Sequence, residues 1–165
     1  MDENCVTRIK QKILEKGIKL NPVIPIAVIR EYEKRNEIVL PEELVAFYTL
    51  IGNGGIMLDG FPLKKIEEWG IWKVKEEFPF TGYWVWEGGD EHEEGDMDDL
   101  CKGNIELIDI GCAQTWNIIV TGKERGQMWY FTDVGISPCA PKQTFLSWYE
   151  YWLNGNDNYF EEFEE

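Results

Sequence analysis

The sequence predicts an α+β protein: a single domain with an antiparallel-rich central sheet, packed by N-terminal helices and by an aromatic C-terminal helix. Three segments with a helical spacing of apolar residues come first. From Ile56 onward, short apolar runs alternate with glycines, as in strands joined by tight turns. Near the end, four aromatic residues form one helical stripe: Phe145, Trp148, Tyr149 and Trp152.

Two of the three early helices are simple amphipathic segments. Residues 5–16 carry Val6, Ile9 and Ile13 on one face, and Gly17 provides a stop. The second helix is predicted over residues 25–36, where apolar and aromatic residues again recur at helical spacing after a break at Asn21-Pro22.

Residues 40–58 predict a third helix that runs into a sharp turn and then into a strand. Pro41 suits the first helical position, and two glutamates follow it at the positive end of the helix dipole. One buried face is formed by Leu44, Phe47, Tyr48 and Ile51. Gly52 is predicted to end the helix in the left-handed conformation. Asn53-Gly54-Gly55 should then turn the chain into a strand at residues 56–58.

The later apolar runs predict strands and their connections. Residues 64–75 suggest a short helix or turn, and Trp84-Val85-Trp86 suggests a strand. Further strand-like runs lie at residues 105–110, 116–121 and 127–131. The glycine-containing loop between the last two predicts an antiparallel hairpin. Residues 133–142, with two prolines, are predicted as a loop that delivers Thr144 as the cap of the closing helix.

Charge narrows the range of partners. The 31 acidic residues outnumber the 16 basic ones and give a formal net charge of −15. Such a charge repels nucleic-acid phosphates and anionic membranes, so direct binding to either is not expected. It attracts basic surfaces, which favours a basic protein partner, although solubility alone also explains an acidic surface.

The N-terminal residues, the apolar stretches and the cysteines together predict a cytoplasmic protein. The chain opens Met1-Asp2-Glu3-Asn4 without a basic and apolar leader, and its longest apolar stretch, residues 22–29, is far too short to span a bilayer. No CxxC or CxxxC pair occurs among Cys5, Cys101, Cys112 and Cys139. We therefore expect reduced, buried thiols in a soluble cytoplasmic protein.

The only histidine is poorly placed for catalysis. His92 lies in the acidic, glycine-containing residues 87–99, which read as a solvated loop, whereas a catalytic imidazole needs a rigid and partly desolvated setting. From Asp90 the same segment begins like a calcium loop, but Cys101 stands where the bidentate glutamate should be. Weak adventitious binding of a divalent cation stays open.

Other catalytic patterns are missing from the sequence. It contains no phosphate-binding loop, no nucleophile elbow and no HExxH motif. Two facing carboxylates would suffice for a glycosidase, so a carboxylate-based hydrolase stays as a third alternative. We predict no enzyme, no cofactor and no resident metal.

Aromatic residues beside the acidic segment are candidates for partner binding. Eight tryptophans are present, and aromatics ringed by charge make good interface anchors, although a place in the core is the commoner explanation for each tryptophan. The predicted partner-binding residues are Trp84, Trp86, Glu87, Asp90, Glu91, Glu93, Glu94, Asp96, Asp98, Asp99 and Trp116.

Several features occur together in one known family. They are Glu33 in the second helix, Leu40-Pro41-Glu42-Glu43-Leu44, the helix that ends at Asn53-Gly54-Gly55, Ile110-Gly111, and Thr144-Phe145-Leu146-Ser147-Trp148. Over nearly the whole chain this combination resembles the SUKH superfamily, the Smi/Knr-type domains. The resemblance implies a SUKH-like domain at residues 1–155, followed by an acidic tail at residues 156–165.

The resemblance also implies a binding role. Bacterial members of the superfamily are widely inferred to be immunity proteins that neutralise polymorphic toxins, many of them nucleases, and fungal relatives act as regulatory interaction proteins. We expect an immunity-type protein that binds a cognate toxin through an acidic, aromatic-containing surface; an intracellular regulatory or scaffold module is the alternative. The acidic insert between Trp86 and Gly103 lies outside the general motif, and the toxin is not identified by the sequence.

Overall fold

A computed structural model describes residues 3–56, 60–70, 73–85 and 97–160, and it confirms the predicted α+β class. The helices of these residues are α1 (Glu3–Glu15), α2 (Ile26–Asn36), α3 (Glu42–Leu50) and α4 (Phe145–Leu153). The strands are β1 (Gly55–Ile56), β2 (Pro62–Leu63), β3 (Trp84–Val85), β4 (Asn104–Gly111), β5 (Gln114–Ile119), β6 (Met128–Phe131) and β7 (Gly135–Pro138). Short 3-10 helices span Ile66–Glu68 and Met97–Cys101. Within the described ranges, no helix combines the length and the apolar character needed to cross a membrane.

One antiparallel sheet organises the domain. Its strand order is β3-β7-β6-β5-β4, and every neighbouring pair is antiparallel. The hairpin predicted between the runs at residues 116–121 and 127–131 is confirmed, with Trp116 opposite Tyr130. The small β1-β2 pair lies beside the sheet, because the Lys64 N–H donates to the Leu107 carbonyl at 2.8 Å.

The prediction of a loop over residues 133–142 is wrong for its first half, because these residues include β7. β7 lies between β3 and β6 and joins them into the sheet. It has only four residues and ends at Pro138, so its sequence offers no run of alternation long enough to indicate a strand.

The turn after α3 has a different geometry from the predicted one. Pro41 is the N-cap residue, with ψ of 137°, rather than the first helical residue. Ile51 caps the C-terminus, and Gly52 does not have a positive φ. Gly52 is needed for space, since a Cβ there would lie 2.7 Å from the Leu20 Cβ. Asn53 is buried, and its Oδ1 accepts a hydrogen bond from the Ile66 N–H at 2.9 Å. These residues therefore fix the scaffold.

Glu33 joins α2 to the start of α3. Its carboxylate is buried, and Oε2 accepts a hydrogen bond from the Leu40 N–H at 2.7 Å. Arg30 pairs with the other oxygen at 2.6 Å. A buried carboxylate that is satisfied on both oxygens holds the connection between the two helices in one conformation.

The sheet has a core on each face. On the helix-side face, Trp116, Ile118 and Met128 belong to a large cluster with residues of all four helices. The other face is covered by residues 73–85, whose Phe78 and Phe80 belong to a smaller cluster. That smaller cluster also contains Trp84, Ile119, Trp129 and Ile136.

The closing helix is capped from another helix. Thr144 occupies the N-cap position as predicted, but its side chain makes no capping hydrogen bond. Instead, the Leu146 N–H donates to the Glu43 carboxylate at 2.9 Å, which ties α4 to α3. Residues 156–160 then return to the domain, because the Ala140 N–H donates to the Tyr159 carbonyl at 2.7 Å and the Tyr159 ring is buried.

The cysteines differ from the prediction of buried thiols. Cys139 is buried and Cys5 is half-buried, but Cys101 and Cys112 are exposed, and none of the four is in a disulfide. Burial raises the pKa of the Cys139 thiol to about 12. The prediction is therefore wrong for the two exposed residues, which lie in a 3-10 helix and in the β4–β5 turn.

Candidate functional site

The two described tryptophans of the predicted partner-binding set lie on opposite faces of the sheet. Trp84 is opposite Ile136 and stacks on Phe80, with ring centroids 5.1 Å apart, on the face covered by residues 73–85. Trp116 is opposite Tyr130 on the helix-side face. Their exposed fractions are only 6% and 9%. The structure therefore does not bring these two indoles together in one contact surface.

Most of the acidic segment that is predicted to bind the partner falls outside the described residues. The part of this segment in binding therefore stays a prediction. It holds seven of the predicted binding residues, namely Trp86, Glu87, Asp90, Glu91, Glu93, Glu94 and Asp96, and it also holds His92.

Asp98 and Asp99 lie in the 3-10 helix Met97–Cys101 and form ion pairs. Asp98 pairs with Lys73, and Asp99 pairs with Lys102 at 2.7 Å. These hydrogen bonds raise the pKa of both lysines. Part of the charge of the two aspartates is thus compensated within the protein.

A different surface on the helix-side face has the properties of an interface. Beyond the part of the sheet that the helices cover, Tyr83, Val85 and Val134 are 64%, 47% and 36% exposed. Together with Tyr130 they line a shallow depression of about 460 Å³ across β3, β7 and β6. We call these four residues the apolar face. Exposed apolar side chains that group in this way on a sheet are typical of a contact surface.

Two local features hold the apolar face in place. Thr132 organises the β6–β7 turn: its Oγ1 accepts hydrogen bonds from the N–H groups of Val134 and Gly135, at 3.2 and 3.0 Å. Gly135 permits the close approach of β3, since a Cβ there would lie 2.8 Å from the Trp84 carbonyl oxygen. The turn therefore presents Val134 outward, and the tight strand pairing places Val85 beside it.

A second concavity adjoins the apolar face at Tyr130. It has a volume of about 270 Å³ and is lined mainly by aromatic rings, with one carboxylate: Phe61, Trp116, Tyr130, Trp148, Trp152, Tyr159, Phe160 and Asp157, besides Ile108 and Ile110. We call it the aromatic pocket. Because Tyr130 lines both concavities, the apolar face and the aromatic pocket form one continuous surface.

The chain after α4 builds one wall of the aromatic pocket. The Tyr159 hydroxyl donates to the Trp148 carbonyl at 3.0 Å, and the Phe160 N–H donates to the Asn158 side chain at 3.0 Å. The Phe160 ring is then parallel to that of Trp116, with a centroid distance of 6.1 Å and an angle of 7°. A second wall is fixed through Tyr130, whose hydroxyl donates to the Gln114 side chain at 2.5 Å.

The other sheet face carries a polar concavity of about 500 Å³. Its polar side chains hydrogen-bond to one another. The Asn117 amide donates to the Asn104 side chain at 2.8 Å, and the Thr115 hydroxyl donates to the Asn117 side chain at 2.6 Å. Lys64 pairs with Glu106 at its rim. Because these polar side chains already have partners within the protein, we assign them a structural role.

Potential metal ligands do not cluster in the part of the chain that the structure describes. Among the described residues, no three His, Cys, Asp or Glu side chains come together as potential metal ligands. The calcium-like segment from Asp90 lies outside these residues, as does most of the acidic loop. What the described surface offers is apolar and aromatic contact area with an acidic side chain at its edge.

Comparison with protein-family models, with curated proteins and with solved structures gives no match for this chain.

Sequence reasoning missed most of this surface for identifiable reasons. Val134 and Gly135 belonged to a predicted loop, and Tyr159 and Phe160 to a predicted tail. The signals were present but weak. Thr132 three residues before Gly135 is a turn pattern between two strands, and the Tyr159-Phe160 pair is unusually apolar for an acidic tail.

Proposed function

We propose that this protein is an immunity-type inhibitor that acts in the cytoplasm and neutralises a cognate polymorphic toxin by binding it. The observation that carries the proposal is the continuous surface of the apolar face and the aromatic pocket on a protein of net charge −15. Such a surface combines the aromatic anchors of a protein interface with the charge that attracts a basic partner.

A rigid sheet suits stoichiometric inhibition. Val85 lies in the edge strand β3, and its pairing with Gly135 of β7 fixes its backbone before the partner arrives. A preorganised surface loses little conformational entropy on binding, so more of the contact energy appears as affinity. Inhibition by occlusion requires no catalytic step in this protein.

The resemblance to the SUKH superfamily supports the same role. Its most specific residues are used for the scaffold: Glu33 holds the start of α3, and Asn53 holds the turn after it. Recognition is therefore left to surfaces outside that motif, which include the apolar face and the acidic segment.

Co-expression tests the proposal directly. A reading frame beside the gene should be lethal when expressed alone and harmless when this protein is present. Val85→Glu and Val85→Lys should each weaken toxin binding by more than about 30-fold, because either one places a charge in an apolar contact. Against a basic toxin the lysine variant should be the weaker of the two, since it adds repulsion.

The matched control is Leu14→Lys. Leu14 is 75% exposed on α1 and does not line the apolar face or the aromatic pocket. This variant should protect as well as the parent protein. If Val85→Lys also protected fully, or bound the toxin with unchanged affinity, the apolar face would not be the binding surface.

The acidic segment is tested by association kinetics. Neutralising Asp90, Glu91, Glu93 and Glu94 with amides should slow association with a basic toxin and reduce the dependence of its rate on salt. An on-rate that is insensitive to salt in the parent protein would contradict electrostatic steering.

The alternative is an intracellular regulatory module that binds an endogenous protein. The same apolar face would serve such a partner, so the discriminating observation is genetic. Absence of a toxic neighbouring reading frame, together with a growth or expression defect on deletion of this gene, would favour the regulatory role.

A further inference from the structure

The aromatic pocket has a composition that selects for one kind of ligand group. Aromatic rings meet there in several orientations: Tyr130 lies at 45° and Tyr159 at 66° to Trp116, with centroids 4.8 and 5.0 Å away. Asp157 is exposed at the pocket, and it is the one charged residue among the described residues that line it.

The chemistry of these walls favours a cation. The face of an aromatic ring carries partial negative charge and attracts ammonium and guanidinium groups, most strongly in the case of tryptophan. A carboxylate at the edge of the pocket adds to this attraction, whereas an anion would be repelled by both. A neutral apolar group would gain contact area but nothing from Asp157.

The shape of the pocket distinguishes between the two common cations. A guanidinium group is planar and stacks parallel to a ring, whereas an ammonium group is compact and can meet rings from several directions. Tyr130 and Tyr159 are both inclined to Trp116, and the concavity is about 270 Å³. Phe160 is parallel to Trp116, but these two rings stack on each other, with centroids 6.1 Å apart, and leave no slot for a planar group between them. This arrangement suits the compact cation.

We propose that the aromatic pocket binds an alkylammonium group, carried in the complex by a lysine side chain of the protein partner. The identity of the carrier rests on the proposed function, since a basic toxin would present lysines to the neighbouring apolar face. The preference for the cation does not rest on it, because the preference follows from the pocket itself.

Probe titration tests the chemistry without any toxin. Choline and its neutral isostere 3,3-dimethyl-1-butanol are added to the purified protein at constant ionic strength, and the indole N–H signals are followed by NMR. Choline should shift the signals of Trp116 and Trp152 and bind about ten-fold tighter than the neutral isostere. Asp157→Asn should remove most of that advantage.

The control for the substitution is Asp109→Asn, an exposed aspartate outside the pocket. It should leave the choline affinity unchanged. Equal binding of the two probes, or an effect of Asp109→Asn as large as that of Asp157→Asn, would overturn the proposal of a cation site.

The affinity of the purified protein for the toxin tests whether a toxin lysine carries the ammonium group. Asp157→Asn should weaken toxin binding about ten-fold, and replacing one lysine of the toxin interface with methionine should weaken it as much, without adding to the effect of Asp157→Asn. If choline binds but these substitutions have independent effects, the lysine assignment is overturned. If probe binding fails while Val85→Lys still abolishes protection, the pocket inference is overturned and the proposed function stands.

Discussion

Glu150 is the main electrostatic link between the first and last helices, and its removal should destabilise the fold in a pH-dependent manner. Arg8 on α1 donates two hydrogen bonds to the Glu150 carboxylate on α4, at 2.5 and 2.8 Å. Lys12 donates a third at 2.8 Å. The two hydrogen bonds from Arg8, together with the one from Lys12, hold the pKa of Glu150 at about 2.

The size of the effect follows from that pKa. The ordinary value is 4.5, and each pKa unit corresponds to about 1.36 kcal/mol of stabilisation. The Arg8 side chain is 47% exposed, however, so solvent screens the interaction. We expect Glu150→Gln to lower the free energy of unfolding by ~1–2 kcal/mol at pH 7.

The pH dependence has a definite sign. Because the pKa of Glu150 is lower in the folded state, its contribution is fully present above the unfolded value of 4.5 and is lost as the pH falls from 4.5 toward 2. The difference in stability between the parent and Glu150→Gln should therefore be constant from pH 7 to about 5.5 and shrink below that.

Urea unfolding followed by tryptophan fluorescence at pH 7, 5.5 and 4 measures this difference. Glu31→Gln, which changes an exposed carboxylate on α2, is the control and should have little effect at any of these pH values. Combining Glu150→Gln with Arg8→Gln should cost less than the sum of the two single changes. A loss of stability that is the same at pH 7 and pH 4 would refute the electrostatic reasoning.

Three further predictions concern stability and thiol chemistry. Glu33→Ala should cost about 2–3 kcal/mol in urea unfolding, since it leaves the buried N–H at the start of α3 without its acceptor. Replacing Cys112-Ala113 by Asn-Gly should raise the free energy of unfolding in urea by ~1–2 kcal/mol. Both positions have positive φ, 54° and 61°, which asparagine and glycine adopt more readily than cysteine and alanine. A thiol reagent at pH 8 should label Cys101 in the native protein but Cys139 only after unfolding, because Cys139 is buried and its pKa is about 12. Equal labelling of the two native thiols would contradict that burial.

The helices and the central hairpin could be predicted because their signals are local. The spacing of apolar residues and the prolines and glycines at the ends lie within one element. Thus α2 is predicted within one residue of its observed start, at Ile26. The hairpin of β5 and β6 follows from the loop between two adjacent runs.

The candidate surface could not be predicted in the same way, because it depends on contacts between distant residues. The local sequence does not tell which face of the sheet Trp84 or Trp116 occupies, because the strand register decides it, and the register places them on opposite faces. Phe160 forms a wall of the aromatic pocket only because the chain after α4 pairs with Ala140. Neither the register across β7 nor that return can be read from spacing.

The way in which β2 lies along β4 limits the kinds of association open to the protein. β4 is the longest strand, with eight residues, and it ends the strand order of the large sheet. An uncovered edge of that length would be a template for strands of other chains, with aggregation as the usual outcome. The hydrogen bond from Lys64 to Leu107 occupies part of this edge with the protein's own backbone. This contact limits self-association along β4, so that a partner of the kind proposed would meet the side chains of the sheet face rather than the strand edge.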